Sequence, residues 1–427
     1  MLRFLTAGES HGKALVVIVE GLPAGLKLEI SDLEQELARR RLGYGRGPRM
    51  RLEKDEITIV SGLRHGQTLG SPIAVEIANT EWPKWEKEMS PGPGSSSSKL
   101  TSPRPGHADL SGMLKYGFDD ARNVLERASA RETAARVCAG TLAKKYLGYF
   151  GVQVISHVVA LGSATFSDDQ LARNLPEPSD LKVIDESEVR CFIPEVAVQM
   201  IDEIKAASKA GDSLGGACQM IAYGVPVGVG SYVHWDRRLD GLISQALMSI
   251  QAIKAVSIGA GIEVSSRPGS RAHDPIHLDQ GSDPSQRRGD FTQNESERTG
   301  RAGRPDLKLV VGEPPNSERS GGFIRDSNLA GGIEGGMSTG DPICATAWMK
   351  PLATLNRPVL STVDLATKTE TVSFKERTDV TAVPAMGVVG ESMMALTLAN
   401  EMARKFGGDS IDESLRNFDS YLKSIRQ

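Results

Sequence analysis

In 427 residues there is no apolar run of about 18 residues and no apolar segment behind a basic N-terminus, so neither a membrane-spanning helix nor a secretion signal is predicted. Cysteine is scarce. Cys138, Cys191, Cys218 and Cys344 are widely spaced and share no metal-ligand pattern, so reduced, buried thiols and a cytoplasmic setting are expected. Aromatic residues are only 5% of the chain and the net charge is −4, which excludes a general affinity for nucleic acid, since that needs a basic surface and stacking side chains. Any cationic site must therefore be local. No Gly-x-Gly-x-x-Gly segment joins a strand to a helix with an acidic residue downstream, so a dinucleotide-binding fold is not predicted.

Glycine is abundant, at 45 residues against a usual share of ~7%, so loops defined by their backbone should matter. A β-branched run at 13–20 reads as a strand, and further strands are expected at 56–60, 72–78, 152–161, 215–223 and 343–350. Helices are expected from Ser31, with Glu34 completing a capping box, to about Leu42, then at 122–147, from Pro194 to Gly211, and at 239–254, 384–405 and 409–424. Residues 91–98 are of low complexity within a flexible loop placed at 88–102. Residues 280–326 are too polar to build core and read as an excursion from one domain spanning 1–427. Strands and helices come in mixed order without regular alternation, which predicts an α+β fold.

Three stretches carry chemistry. Arg39, Arg40, Arg41, Arg46, Arg49 and Arg51 crowd together with no acidic residue among them, and Gly43, Gly45 and Gly47 let the backbone curl so that several guanidinium forks can converge on one polyanion. A solvated basic loop is the plain alternative. Residues 103–136 open as a loop, where Pro103, Pro105 and Gly106 forbid regular structure around His107, and pass into a helix rich in Ala, Leu, Arg and Glu. On that helix Arg127 and Arg131 stand four apart, a like-charge pair that calls for an anion between them, while Glu132 and Arg136 form an ordinary stabilising pair. Ala128, Ser129, Ala130, Ala134 and Ala135 are small enough to let another body approach. Finally, Gly8-Glu-Ser-His-Gly12 matches the G-x-S-x-G nucleophile elbow, which makes a serine hydrolase with Ser10 as nucleophile the rival to weigh. Its position is wrong for that role, because only nine residues precede Ser10 where an elbow needs a strand and an earlier oxyanion loop.

Taken together, Gly8-Glu-Ser-His-Gly12, Arg39-Arg-Arg-Leu-Gly-Tyr-Gly-Arg-Gly47, Arg104-Pro-Gly-His-Ala-Asp109, Arg127-Ala-Ser-Ala-Arg-Glu-Thr133, Gly331-Gly-Ile-Glu-Gly-Gly336, Lys350-Pro351 and Arg377-Thr-Asp379 resemble the chorismate synthase family. The likeness runs from residue 1 to about residue 410. It implies a single domain with helices sandwiched between antiparallel sheets, assembled as a homotetramer. It also implies a lyase that converts 5-enolpyruvylshikimate 3-phosphate to chorismate by an anti-1,4-elimination of phosphate, with reduced FMN required and no net redox change. By the same resemblance His11, His107, Ser10 and Asp379 are catalytic. Arg127, Ala128, Ser129, Gln251, Ala252, Gly335, Lys350, Pro351, Leu352, Ala353, Thr354 and Arg377 would hold the flavin. Arg40, Arg46, Arg49, Arg104 and Arg131 would meet substrate anions, with Arg40 and Arg46 also linked to NADPH. An arginine-rich pocket suits a substrate that carries a phosphate and two carboxylates. Histidine suits the proton transfers because its ordinary pKa of ~6.5 allows either protonation state near neutrality. Of the other histidines, His65, His157, His234, His273 and His277, the one in a polar segment beside the excursion, His273, has the best claim to a role. Two departures from the family pattern stand out: Thr378 where Ser is usual, and a long 280–325 stretch. With no dinucleotide fold visible, an external flavin reductase is expected over a built-in one.

Overall fold

The computed structural model describes residues 1–46, 55–167, 175–279, 319–357, 359–373 and 379–425. Arg49, Arg51, Arg377, Thr378 and most of the 280–326 stretch lie outside them. Strands β1 (Arg3–Ala7), β2 (Ala14–Glu20), β3 (Glu56–Ser61) and β4 (Ile73–Ala78) form one antiparallel sheet in the order β1-β2-β4-β3. Strands β5 (Gln153–Leu161), β6 (Gly216–Tyr223), β7 (Ile253–Ile258) and β8 (Ile343–Met349) form a second in the order β7-β8-β6-β5, with Ala164–Thr165 on its edge. Alternation sets the faces. In β2, Leu15, Val17 and Val19 turn inward and are almost fully buried, while Ile18 points out beside Leu5 of β1.

The helices are α1 (Ile30–Arg41), α2 (Asp109–Tyr116), α3 (Arg122–Ala128), α4 (Thr133–Tyr149), α5 (Pro194–Ala210), α6 (Leu239–Met248), α7 (Val383–Phe406) and α8 (Ile411–Ile425). Helix α4 packs on β1, β2 and β4, α7 packs on β5 and β6, the two helices press against each other, and α1 touches both. The expected sandwich of helices between antiparallel sheets is thus present. Close packing explains the small residues of α4. A Cβ at Gly140 would stand 2.2 Å from the Cβ of Ser392, and Ala134 and Ala135 are fully buried in the core. The body that approaches α4 is the protein's own interior.

Several sequence expectations are corrected. The 122–147 helix is two helices. Ser129 is extended (φ −62°, ψ 141°) and its Oγ accepts from the Arg131 amide at 3.3 Å, capping a 3₁₀ turn, Ala130–Glu132, that leads into α4. A hydroxyl that can cap competes with helix continuation. Helix α1 begins one residue early, because Glu29 and Asp32 form the capping box and Ser31 donates only to Glu29. Helix α6 stops at Met248. Ala252 takes a left-handed backbone (φ 68°), and the β-branched residues after it pair with β8. Residues 91–98 form neither helix nor strand and are mostly exposed.

At the centre of the helical layer lies a buried carboxylate, Glu391 of α7. It accepts from Arg39 (2.7 and 3.0 Å), Lys144 (2.6 Å), Arg190 (3.0 Å) and the Ser156 hydroxyl (2.7 Å). Burial pushes its pKa up, but the charges of Arg39, Lys144 and Arg190 outweigh this and hold it well below the usual carboxylate range. The four cysteines are buried and in no disulfide, and burial pushes each thiol up to about 12. No helix among the described residues is long and apolar enough to cross a membrane.

Glu391→Ala would remove the carboxylate common to three cations and leave them only Glu36 and Asp185, and a loss of about 3 kcal/mol in equilibrium urea denaturation is expected. Fully buried His157 has its pKa lowered to about 4 by desolvation, below the ~6.5 of an unfolded chain. The unfolded state then binds more protons in that window, so stability should fall as pH drops from about 6.5 towards 4, by up to roughly 3 kcal/mol. His157→Asn should flatten that part of the pH dependence in the same denaturation experiment.

Candidate active site

The loop Gly8–Gly12 is the turn between β1 and β2. Gly8 is at φ 99° and a Cβ there would stand 2.3 Å from the Ala14 carbonyl oxygen, so only glycine fits. Asn79, just past β4, clamps the loop from below, its Nδ2 donating to the carbonyls of Glu9 (3.0 Å) and Gly12 (2.8 Å). Its Oδ1 accepts from Arg131 Nε at 3.1 Å, so loop and guanidinium are joined through one amide. Arg131 also donates from Nη1 to the buried Asp55 (2.5 Å), and Arg40 donates to Thr133 Oγ1 (2.9 Å) and the Ala130 carbonyl (3.0 Å).

From α3, Glu126 reaches the same loop. Its carboxylate accepts from His11 Nδ1 (2.9 and 3.0 Å) and from the His11 amide (2.9 Å), and its carbonyl accepts from the Ser10 amide (3.0 Å). Burial raises the Glu126 pKa, but the His11 hydrogen bond and charge, with Arg122 behind, hold it below its ordinary value. The His11 ring rests on Trp85 at 4.4 Å, and its Nε2 lies 4.0 Å from Glu81. Its side chain keeps 18% exposure, so it is lodged but reachable.

His107 is built the same way in the loop before α2. Asp109, the fully buried first residue of α2, accepts from His107 Nδ1 and from Arg104 (Nε 2.9 Å, amide 3.1 Å). Burial raises Asp109, but hydrogen bonds from His107 and Arg104 and the charge of Arg104 hold it far below the usual carboxylate range. Arg104 Nη1 donates to Thr354 Oγ1 at 3.1 Å, and Lys350 Nζ donates to the Gly106 carbonyl. The 350–354 segment and the His107 loop are therefore one unit. Helices α2 and α3 interlock where a Cβ on Gly112 would strike Val124.

A cleft of about 380 Å³ opens at the C-terminal end of α3, lined by Thr6, Arg127, Glu132, Arg136, Ser249 and Gln251 among others. Glu132 organises its wall, accepting from Thr6 Oγ1 (2.7 Å), Arg136 (2.8 Å) and Gln251 Nε2 (3.1 Å). Glu132 stays below its ordinary pKa, since burial is overcome by Arg136 and these hydrogen bonds. An ionised carboxylate accepts only, so the amide nitrogen of Gln251 must face it. That leaves Gln251 Oε1 buried without a hydrogen-bond partner among the described residues. Ala252 follows, and its carbonyl accepts from the Lys350 amide at 2.9 Å.

The expected like-charge pair on one helix face does not exist. Because the chain breaks at Ser129, Arg131 turns inward to Asn79 and Asp55, whereas Arg127 stays exposed and donates to the Thr6 (2.9 Å) and Gly8 (3.2 Å) carbonyls. Glu132 and Arg136 do pair, as expected. Gly335 sits apart from the other expected flavin residues. It is in the turn of a hairpin whose Gly336 carbonyl accepts from Leu239, the first residue of α6, roughly 15 Å of helix from Gln251. Asp379 binds Arg46 Nε at 3.0 Å, and Leu352 O accepts from Ser213. Ala128, Ser129, Ala353 and Thr354 are half-buried and Pro351 is exposed. His273 is exposed. Its neighbour Asp274 is buried and caps the Leu329 and Ala330 amides at 2.8 and 2.9 Å.

Thr6, Asn79, Asp55, Asp109 and Glu126 were not singled out by the sequence reading. Glu126 and Asp109 had a signal, Asp109 closing one quoted motif and Glu126 directly preceding another, each a carboxylate beside a functional residue. Asn79 and Thr6 had none. A strand does precede Ser10, contrary to the positional objection above, but strand β2 follows it where an elbow needs a helix, and this removes the hydrolase reading on geometry. Asn79→Asp keeps the acceptor for Arg131 and loses both donors to the loop, so a loss of about 1 to 3 kcal/mol in chemical denaturation is expected.

The family model for chorismate synthase matches residues 2–403. Chorismate synthases of Thermobifida fusca (strain YX) and Paenarthrobacter aurescens (strain TC1) are 50% and 48% identical, over 100% of this chain and 99% and 98% of theirs. A crystal structure of chorismate synthase superposes with a TM-score of 0.72 at 36% identity, covering 100% of this chain and 98% of that one. On a shared sandwich, a shared length and a family model that matches nearly the whole of it, this chain belongs to the chorismate synthase family.

Proposed function

We propose that this chain, a carbon–oxygen lyase, eliminates phosphate from 5-enolpyruvylshikimate 3-phosphate in the anti-1,4 sense to give chorismate. The observation that carries the reading is that two histidines are each bound through Nδ1 to a buried carboxylate, in a chain that also fixes the guanidiniums of Arg104 and Arg131. Arg131 and Arg104 are buried and held by Asp55 and Asp109, so a substrate bearing three anionic groups meets cations already oriented. Arg127, exposed at the cleft, adds a guanidinium held by the Thr6 and Gly8 carbonyls. His11 delivers a proton to the departing phosphate, and His107 holds one beside the reduced flavin. Ser10 and Asp379 are assigned a proton relay. Arg46 is held by Asp379, and Arg40, buried in the α3–α4 junction, acts at short range; contact of either with NADPH belongs to the same proposal, as do Arg49 and Arg377.

The cleft fits a flavin. A buried acceptor without a partner among the described residues, Gln251 Oε1, is what an imide N–H of such a ring requires, and the next residue, Ala252, is joined through its carbonyl to the Lys350 amide. Arg127, Ala128, Ser129, Gln251, Ala252 and residues 350–354 would hold it. Reduced FMN, when bound, supplies electron density to the substrate while phosphate leaves. The chain's residues bind, orient and move protons around it. A homotetramer would cover the cross-strand pair Leu5 and Ile18, exposed on the outer face of the first sheet. Buried thiols support a cytoplasmic setting.

Anaerobic incubation with 5-enolpyruvylshikimate 3-phosphate and chemically reduced FMN should yield chorismate. Oxidised FMN with NADPH should yield none without a separate reductase, and chorismate in neither mixture would sink the reading. His11→Ala and His107→Ala should each lower turnover by about 10- to 10⁴-fold, and Ser10→Ala should lower it without abolishing it. Wild-type rates in both histidine variants would refute their roles.

A further inference from the structure

Glu126 has no place in the chemistry so far, yet it makes more contacts with the Ser10–His11 turn than any group assigned there. We propose that Glu126 is the positioning residue of that turn, whose carboxylate fixes His11 in the Nδ1–H tautomer and leaves Nε2 as the proton-exchanging nitrogen. The proposal rests on the assignment of His11 as the acid that meets the leaving phosphate.

Oxygen Oε2 lies 2.9 Å from both the His11 amide and His11 Nδ1, and Oε1 lies 3.0 Å from Nδ1 and from Arg122 Nη1. The amide and the guanidinium can only donate. A carboxylate can only accept, so Nδ1 must donate as well. The side chain has nowhere to swing. It is 1% exposed, and Arg122 is itself stacked over Trp85 at 4.8 Å while Trp85 covers the imidazole. Meanwhile the Glu126 carbonyl holds the Ser10 amide at 3.0 Å, so one residue fixes both ends of the dipeptide. Among the described residues, Glu81, 4.0 Å from Nε2, and Arg122 also face this unit.

The isosteric change Glu126→Gln is incompatible with this arrangement. A glutamine offers one oxygen and one NH₂, yet the two oxygens of Glu126 each serve an obligate donor, Arg122 and the His11 amide. Relief comes by rotating the NH₂ towards Nδ1, which moves the imidazole proton to Nε2.

The test uses the whole chain with ¹⁵N-labelled histidine, the His11 signals being assigned by their loss in His11→Ala. The wild type should show neutral His11 protonated on Nδ1, and Glu126→Gln should shift protonation towards Nε2. In the anaerobic assay with reduced FMN, Glu126→Gln should lower kcat about 10- to 10³-fold with KM changed less than about 3-fold, and Glu126→Asp should recover part of the loss. The double variant His11→Ala/Glu126→Gln should be no slower than His11→Ala. An unchanged tautomer, or additive losses in the double variant, overturns the proposal. If Glu126→Gln does not fold, the tautomer in Glu126→Asp decides, since an Nε2–H wild type refutes the idea outright. If His11→Ala keeps wild-type turnover, the reading of His11 falls, while the NMR result still judges what Glu126 does.

Discussion

A single buried carboxylate, Glu391, is the point on which the helical layer turns. It sits between Arg39 of α1, Lys144 of α4 and Arg190, with Ser156 of β5 below. Glu36 and Asp185 share these cations, but Glu391 is the fully buried anion of the cluster, and it could not ionise without them. The balance of desolvation against attraction adds little net stability, yet it specifies geometry: Glu36 reaches Arg39 and Lys144, and Asp185 reaches Arg39 and Arg190, whereas Glu391 reaches all three cations. It pins the last turn of α1. The next residue, Arg40, then lies against the α3–α4 junction, and the glycine-rich loop carrying Arg46 departs from a fixed end.

The junction itself shows how a small local preference redistributes charge. Had the chain stayed helical through Ser129, Arg127 and Arg131 would share a face and repel. Extended backbone at one residue sends one guanidinium inward to Asn79 and Asp55 and leaves the other on the cleft rim. The cationic lining is thus spread over two depths, each with its own compensating acceptors.

Strands and the long C-terminal helices were legible in the sequence because alternation and apolar faces are written in neighbouring residues, as in Leu15, Val17 and Val19. The break at Ser129 was not, since a capping hydroxyl and a helix interior read alike until the next amide is placed. The histidines and arginines were legible through motifs. Their keepers were legible only in part. Glu126 and Asp109 stand beside them in sequence, whereas Asn79 and Thr6 are brought in by sheet pairing, which no local pattern announces. Small residues in α4 pointed to close approach, but not to whether a ligand or another helix would come near; Gly140 against Ser392 answers that.

The two histidine units differ in how far the chain must travel to complete them. The His11 turn closes on groups supplied within the first 131 residues: Asn79, Trp85, Glu126 and Arg131. The His107 loop is anchored by Thr354 and Lys350, and by Thr362, which donates to the Pro103 carbonyl at 2.6 Å, all some 250 residues downstream. Non-local closure pays its entropy late in folding. On a ribosome, one half of the site can be assembled while the other half still awaits the strands that will carry it, so reactivity arrives only with the last third of the chain.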